Sequence, residues 1–159
     1  MLLTGSSPAH SISAPQRIGS YVQEPTLAAG MGASSLRDRI VSSSGGEASH
    51  VVDAVYQDSA GPAARNSPQI ILFVGGNLAG SAASFINSLT EALPGAFAIN
   101  PGFMHGQAAC VPARSGRLAE CAWADNDTFG VLASPTLSAT ALGAELRQMR
   151  PLVEHVVKH

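Results

Sequence analysis

Charged residues are scarce in this chain, and lysine is nearly absent. Only 13% of the 159 residues are Asp, Glu, Lys or Arg, about half the usual share, and Lys158 is the single lysine. The net charge of −2 gives the chain no excess positive charge with which to bind phosphates. Binding to nucleic acid or to an acidic membrane surface therefore has no electrostatic support.

The chain also lacks the uninterrupted run of about 18 apolar residues that a membrane-spanning helix requires, so we predict no direct membrane span. Its start, Met1–Leu2–Leu3, lacks the basic segment and the long apolar core of a signal peptide. These residues precede a polar stretch rich in Ser, Pro and Ala, which is typical of an apolar helix entering a linker. We therefore expect a signal or membrane helix upstream of Met1 in a longer form. The alternative is a simple disordered N-terminus.

Cysteine is the other rare residue, since Cys110 and Cys121 are the only two. There is no CxxC motif and no second ligand pair, so a zinc site is not indicated. Positions 110 and 121 are equidistant from a turn centred between Ser115 and Gly116, which suits a cross-strand disulfide. A disulfide would place the domain outside the cytoplasm, secreted or tethered to the membrane. Two buried, reduced cysteines of a cytoplasmic protein are the alternative.

The length of the hairpin loop determines how the two cysteines would pair. A two-residue loop would make them a hydrogen-bonded pair and would require Pro112 to donate an amide proton that it lacks. A four-residue loop, Arg114 to Arg117, makes them a non-hydrogen-bonded pair with Cα atoms about 4.5 Å apart, which a disulfide can bridge. We therefore predict the four-residue loop and the disulfide together, with a stabilisation of about 3 kcal/mol.

The hydrophobic pattern predicts an α+β fold. Residues 1–16 are predicted to form a flexible lead-in or linker, and residues 17–159 a single domain. Helices are predicted over residues 27–43, over residues 79–93 and in the final segment, where Pro151 should kink the helix or end it early. Strands are predicted at residues 17–22, 48–56, 69–74, 97–99, 107–111, 118–124 and 129–133.

The strands occur in adjacent runs, which favours antiparallel pairing. We therefore predict a mostly antiparallel sheet of about five to seven strands, with two to three helices packed on one face and one disulfide-bridged hairpin. Residues 69–74 form a continuous apolar run, which is typical of a central strand covered on both faces.

Gly75 to Gly80 follow this central strand and precede a helix, at a position where phosphate-binding loops occur. Gly76, Asn77 and Ser81 are therefore weak candidates for binding an anion at the helix N-terminus. The segment matches neither GxGxxG nor GxxxxGK[ST]. Turn glycines with an Asn or Ser cap are the simpler interpretation.

His105, Trp123 and Asp125 are the remaining candidate binding residues. His105 could act with Asp125 or Asp127 in a small hydrolase, but neither a GxSxG motif nor a free cysteine is present to supply a nucleophile. Trp123 is expected to pack over the disulfide rather than to form a ligand platform. No catalytic residue is assigned.

Two further patterns resemble metal sites and depart from them. Residues 125–130 resemble the start of a calcium loop, but Phe129 occupies a ligand position and Thr136 stands where the bidentate Glu should be, so a polar hairpin turn is expected. His155 and His159 are four residues apart on the predicted final helix, but without the HExxH arrangement they are expected to be solvated. No metal and no cofactor are predicted.

The stretch from Gly102 to Val131 carries a resemblance to a known group of proteins. Residues 102–110 (Gly-Phe-Met-His-Gly-Gln-Ala-Ala-Cys), 121–125 (Cys-Ala-Trp-Ala-Asp), 128–131 and 146–150 resemble a domain of actinobacterial proteins of unknown function. Members of that group typically carry a membrane helix or signal, then a Pro/Ser-rich linker, then this domain outside the cell. The similarity covers about residues 15–157. It departs from the group at His105, where relatives often have glycine, at Pro151, and in the missing upstream segment.

These observations favour a non-catalytic binding or sensory module at the cell surface, with a cell-envelope partner or a small ligand. A small hydrolase and a purely structural envelope protein are the alternatives. A hydrolase requires a pocket in which His105 converges on a carboxylate and a hydroxyl group. A purely structural protein would lack a concave site.

Overall fold

The computed structural model describes residues 10–58, 69–91, 93–114 and 117–156 of the chain. Within these residues the α+β class is confirmed, with helices packed on a mostly antiparallel sheet. The elements in chain order are β1 (His10–Ile12), β2 (Arg17–Ile18), β3 (Tyr21–Gln23), α1 (Pro25–Met31), α2 (Ala33–Ser43), β4 (Ala48–Asp58), β5 (Gln69–Leu78), α3 (Ala82–Thr90), β6 (Phe97–Ala98), β7 (Gln107–Val111), β8 (Ala119–Ala124), β9 (Thr128–Ser134), α4 (Ala139–Val153) and β10 (Glu154–Val156).

Eight strands form one antiparallel sheet in the order β2-β3-β4-β5-β9-β8-β7-β6. The apolar run of β5 lies near its centre, between β4 and β9, and Ile71 to Leu78 are all buried. This confirms the central, doubly covered position that its composition predicts. The two short strands β1 and β10 pair separately as an antiparallel ribbon.

The helices lie on both faces of the sheet, whereas the sequence pattern predicted one. α4 and the β1–β10 ribbon cover the face that carries the disulfide, and α2 and α3 cover the other. The counts of four helices and eight strands in the large sheet exceed the predicted two to three and five to seven. The difference has a simple cause, because β5, β8 and β9 direct apolar side chains to both faces of the sheet and each face needs a cover.

Two predicted elements are each divided by a glycine in the left-handed backbone region. Gly32, with φ 75°, separates α1 from α2 within the predicted helix 27–43. Gly19, with φ 61°, forms the turn between β2 and β3 within the predicted strand 17–22. Glycine adopts this conformation without the steric penalty of a Cβ atom.

The ends of the chain differ from the predicted linker and helix. Residues 10–12, assigned to the lead-in, form β1 and pair with Glu154–Val156. The final helix ends at Val153, two residues after Pro151, and the following residues form β10. His155 therefore lies on a strand rather than on the predicted final helix, and Val156 is exposed. Residues 1–9 and His159 lie outside the described residues.

The predicted disulfide joins Cys110 of β7 to Cys121 of β8, with 4.0 Å between the two Cα atoms. The cysteines form a non-hydrogen-bonded pair, as predicted. The Ile99 amide donates to the carbonyl of Ala108, which lies two residues before Cys110 on β7. Because backbone groups repeat their direction every second residue, the N–H and C=O groups of Cys110 also point toward β6. Cys121 directs its own toward Leu132 of β9, because backbone groups alternate between neighbouring strands.

The predicted four-residue loop is wrong. Arg114 and Arg117 exchange both backbone hydrogen bonds, so two residues, 115 and 116, lie between them. The cysteine pairing survives because the regular ladder stops at Val111 and resumes only as an isolated bridge at Arg114. Pro112, which has no amide proton, lies in that interruption. The alternation of pair types therefore does not run unbroken from the turn to the disulfide.

Candidate functional site

A buried arginine organises the polar residues below the β8–β9 turn. Arg150, on the last turn of α4, is 1% exposed. Its Nη2 donates to Asp125 Oδ2 at 2.9 Å and its Nε to Glu154 Oε1 at 3.1 Å. The guanidinium carbon also lies 5.6 Å from the ring centroid of Trp123, a distance typical of a cation–π contact. The buried charge of Arg150 is therefore compensated on several sides.

Asp125 is used to build the turn rather than to hold an ion. Its Oδ1 accepts the amides of Asp127 at 2.8 Å and Thr128 at 2.7 Å. Its Oδ2 accepts from Arg150, and the Thr128 hydroxyl lies 3.2 Å from both oxygens. This carboxylate-capped turn confirms the polar hairpin turn expected for residues 125–130.

The same arginine holds the loop that contains His105. Its Nη1 donates to the carbonyls of Pro101 and His105, and its Nη2 to that of Met104 at 3.4 Å. His105 has a positive φ of 64°, and its side chain is exposed. No hydrogen bond of the imidazole to another described residue occurs, so His105 meets the cluster through its backbone only.

Asn77 and Asp127 tie the β1–β10 ribbon to the sheet. The Asn77 side-chain amide donates to the carbonyls of His10 at 2.8 Å and Asp127 at 3.2 Å. The His10 imidazole Nδ1 lies 2.8 Å from Asp127 Oδ2. Asn77 is 7% exposed, so both of its contacts lie at the edge of the core and serve to position β1.

The Gly75–Gly80 segment is not the predicted strand-to-helix loop. β5 continues to Leu78, and a Cβ atom at Gly76 would lie 2.7 Å from the Ser49 carbonyl oxygen, at an irregularity in the pairing of β4. Ser81 caps α3, because its hydroxyl accepts the Ser84 amide at 3.3 Å. Glycine here permits close packing of two strands, and the helix N-terminus is capped by the chain itself.

Trp123 is fully buried, and its ring stacks on Phe73 with 6.4 Å between the centroids. It lies on the same face as the disulfide, in one apolar cluster. The structure therefore brings together Asn77, Trp123, Asp125 and the backbone of His105, while Gly76 and Ser81 lie elsewhere. Trp123 Nε1 is buried without a hydrogen-bond partner among the described residues, whereas the other polar groups of this Arg150 cluster bond largely to one another, so the cluster holds α4, the turn and the ribbon together.

The carboxyl group of Glu154 is buried in this cluster, and its pKa is shifted as a result. Burial raises the pKa of its carboxyl group, and the charge of Asp125 raises it further, while Arg150 acts in the opposite direction. Burial disfavours the charged carboxylate because water no longer solvates it. Arg150 thus offsets part of the cost of placing two carboxylates side by side.

A different site is open to solvent, and sequence patterns did not identify it. A cavity of about 110 Å³ lies between the β2–β3 turn, the end of β4 and one side of α4. Its polar lining includes Ser20, Tyr21, Asp58, Glu145 and Gln148. Ile18, Met149 and Leu152 supply its apolar wall.

Two groups in this cavity make no hydrogen bond within the described part of the chain. One is the hydroxyl of Tyr21, a residue that is only 5% exposed, and the other is the carboxylate of half-buried Glu145. Asp58 differs, since its Oδ2 accepts from the Ser20 hydroxyl at 2.9 Å. The Tyr21 hydroxyl and the Glu145 carboxylate line the cavity, so this end of it offers two polar groups that a ligand could reach.

The pKa shifts of both groups follow from their surroundings. Burial raises the pKa of Glu145, and the charge of Asp58 raises it further. Burial likewise raises the pKa of the Tyr21 hydroxyl, with additional effects from the charges of Glu145 and Asp58. The Tyr21 hydroxyl therefore lies in the field of the two carboxylates, and it stays protonated at neutral pH.

The only sequence signal for this cavity was weak. Glu145 and Gln148 flank the buried stripe of α4, and Tyr21 was expected in a strand. Their proximity depends on the turn at Gly19, which brings the N-terminal hairpin beside a helix more than a hundred residues later.

Among the described residues, no group of three or more His, Cys, Asp or Glu side chains is arranged to hold a metal ion. Comparison of the chain with protein-family models, with curated proteins and with solved structures gives no match in any of the three.

Proposed function

We propose that the chain is a non-catalytic binding module that works outside the cytoplasm and receives its ligand in the cavity between the β2–β3 turn and α4. The observation that supports this most is the cavity itself, in which the Tyr21 hydroxyl and the Glu145 carboxylate have no hydrogen-bond partner within the described part of the chain. The concave site also favours a binding role over a purely structural envelope protein.

The proposed compartment rests on the disulfide. The cysteines are fully buried in an α+β domain, and disulfides persist in oxidising compartments. Within residues 10–58, 69–91, 93–114 and 117–156, no helix has the length and apolar character needed to cross a bilayer. Tethering through an upstream segment, as the resemblance to the actinobacterial group implies, is part of the same proposal.

The hydrolase alternative has less support. It requires the imidazole of His105 to face a carboxylate and a hydroxyl in a pocket. His105 is exposed, Asp125 is bonded to Arg150 and the turn amides, and Asp127 contacts His10. The disulfide is also buried, which argues against thiol–disulfide exchange chemistry at that position.

Fragment screening by two-dimensional NMR tests the binding site directly. With backbone assignments, we expect small-molecule fragments to shift the amides of residues 18–21 and 145–152 as one group. The Tyr21→Phe variant keeps the ring and removes the hydroxyl. It should weaken the binding of polar fragments and leave the spectrum elsewhere unchanged. Shifts confined to other surfaces, or no shifts with a broad fragment set, would contradict the proposed site.

A further inference from the structure

We infer that the ligand of the cavity beside Tyr21 carries a small organic cation, an ammonium or guanidinium group on a short aliphatic stem. This inference rests on the proposed function and specifies its ligand class. It follows from the charge of the described lining, from the polar groups without a described partner, and from the apolar wall of the cavity.

The charged groups among the described residues that line the cavity are all acidic. Its lining contains two carboxylates, Asp58 and Glu145, and no lysine, arginine or histidine among the described residues. Asp58 is bonded to Ser20, whereas Glu145 forms no ion pair within the described part of the chain. A cation beside Glu145 would gain a charge-assisted hydrogen bond in a partly desolvated site, where such bonds are strongest.

The polar groups of the cavity that have no described partner match a ligand that donates hydrogen bonds. An ionised Glu145 carboxylate accepts only, and the Tyr21 hydroxyl, which has no hydrogen-bond partner within the described part of the chain, can accept as well as donate. A guanidinium or ammonium group supplies several N–H donors and needs no acceptor of its own. An anion would face the Glu145 carboxylate with no cationic side chain in the described lining, so anionic ligands are disfavoured.

The remaining wall suits an aliphatic stem. Ile18, Met149 and Leu152 border the polar end, and Leu152 is 48% exposed. A volume of about 110 Å³ accommodates a cationic head group with a few carbons and leaves a longer ligand to continue outward over Leu152. Burial of those carbons would add the apolar contribution that small-ligand sites generally need.

The test is an NMR titration of the disulfide-bonded chain with ethylguanidinium, with its neutral isostere ethylurea, and with propionate as the anion. We expect ethylguanidinium to shift the amides of residues 18–21 and 145–152, and ethylurea and propionate to bind at least tenfold more weakly. Glu145→Gln should weaken the binding of ethylguanidinium about tenfold, which corresponds to the loss of one charge-assisted hydrogen bond. Glu91→Gln, which removes an exposed charge at the end of α3, should leave binding unchanged.

The possible results distinguish a failure of the cation inference from a failure of the proposed binding site. If ethylurea binds the cavity as well as ethylguanidinium does, and Glu145→Gln has no effect, the cation inference is overturned and the proposed binding site stands. If ethylguanidinium shifts only residues outside the cavity, the cation inference is overturned. If neither these probes nor the wider fragment set shifts residues of the cavity, the proposed site falls with it.

Discussion

Gly130 lies directly beneath the indole of Trp123, and the absence of its side chain lets the ring reach Phe73. The two residues face each other across β8 and β9. A Cβ atom at position 130 would lie 2.0 Å from Cη2 of Trp123, far inside a van der Waals contact. The glycine therefore determines where the largest core side chain lies.

The variant Gly130→Ala tests this packing. We expect the free energy of unfolding to fall by about 1 to 3 kcal/mol, because the ring must leave its place in a close-packed core. Gly30→Ala is the control, since nothing lies within 4 Å of the added carbon in the exposed part of α1, and it should be neutral or stabilise by about 0.5–1 kcal/mol. Urea denaturation measures both. Equal effects of the two variants would show that Trp123 does not depend on Gly130.

Arg150 is the residue on which the polar cluster depends. We expect Arg150→Met to lower the free energy of unfolding by about 3 to 5 kcal/mol, because it leaves the buried Glu154 carboxylate and the partly buried Asp125 carboxylate uncompensated. Arg147→Met is the matched control on the same helix, since Arg147 is exposed and donates one long hydrogen bond to the Asn100 carbonyl. Denaturation curves compare the two. A small effect at position 150 would mean that water replaces the arginine.

Glu145 gives a pH dependence whose sign is fixed by its raised pKa. The folded state binds the proton more tightly than the unfolded state, so this group lowers stability as the pH rises above about 4.5, the ordinary value, through the folded pKa. We expect Glu145→Gln to be more stable than the wild type at neutral pH, with the difference vanishing below about pH 4.5. Denaturation over pH 4 to 8 measures it, with Glu91→Gln as the control for loss of a charge. A difference that does not change with pH would contradict the assignment.

At the scale of elements, the disulfide hairpin and α4 form one packed unit. α4 passes over the cystine at Gly143, where a Cβ atom would lie 3.2 Å from the Cys110 sulfur. Leu142 and Leu146 flank this contact and are fully buried. The helix can approach the disulfide closely because glycine occupies the point of contact.

Replacement of both cysteines by alanine tests the contribution of the disulfide. We expect Cys110→Ala/Cys121→Ala to lower the free energy of unfolding by about 3 kcal/mol, mainly because the unfolded chain regains the freedom that the ring removes. Denaturant titration measures the change, and the fold should persist, since the strands on both sides pair independently of the bond. An unchanged midpoint would contradict the stabilising role.

The elements that the sequence predicted correctly are those whose cause is local. The apolar run of β5, the cap at Ser81 and the turn at Asp125 each depend on neighbouring residues. The extension of β5 through Gly76 was not predictable, because it depends on close packing against Ser49 of β4. The same holds for β1, whose partner β10 lies at the other end of the described chain.

In the candidate site, too, residue type predicted local features and not those that depend on distant parts of the chain. Asn77, Trp123 and Asp125 were singled out by residue type, and they do come together, but around Arg150, which no motif marked. The cavity beside Tyr21 was missed entirely, because it arises from the meeting of the N-terminal hairpin with α4. Residue types predicted where polar groups cluster, whereas openness to solvent is a property of the tertiary structure.

The molecule as a whole is a covered sheet that holds the cavity beside Tyr21 open to solvent. Both faces of the sheet are covered by apolar clusters, and the buried disulfide and the Arg150 cluster fix α4 in place. α4 in turn carries Glu145 and Gln148 into the cavity. A rigid platform of this kind presents binding groups with little loss of conformational entropy.

The central claim, a disulfide-bonded domain that works outside the cytoplasm, is tested most directly by the state of Cys110 and Cys121 in the producing cells. Thiols are blocked with iodoacetamide at lysis, the protein is recovered without reductant, and its intact mass is measured. The account predicts the mass of the disulfide form with no carbamidomethyl adduct. Two adducts on the native protein would contradict it.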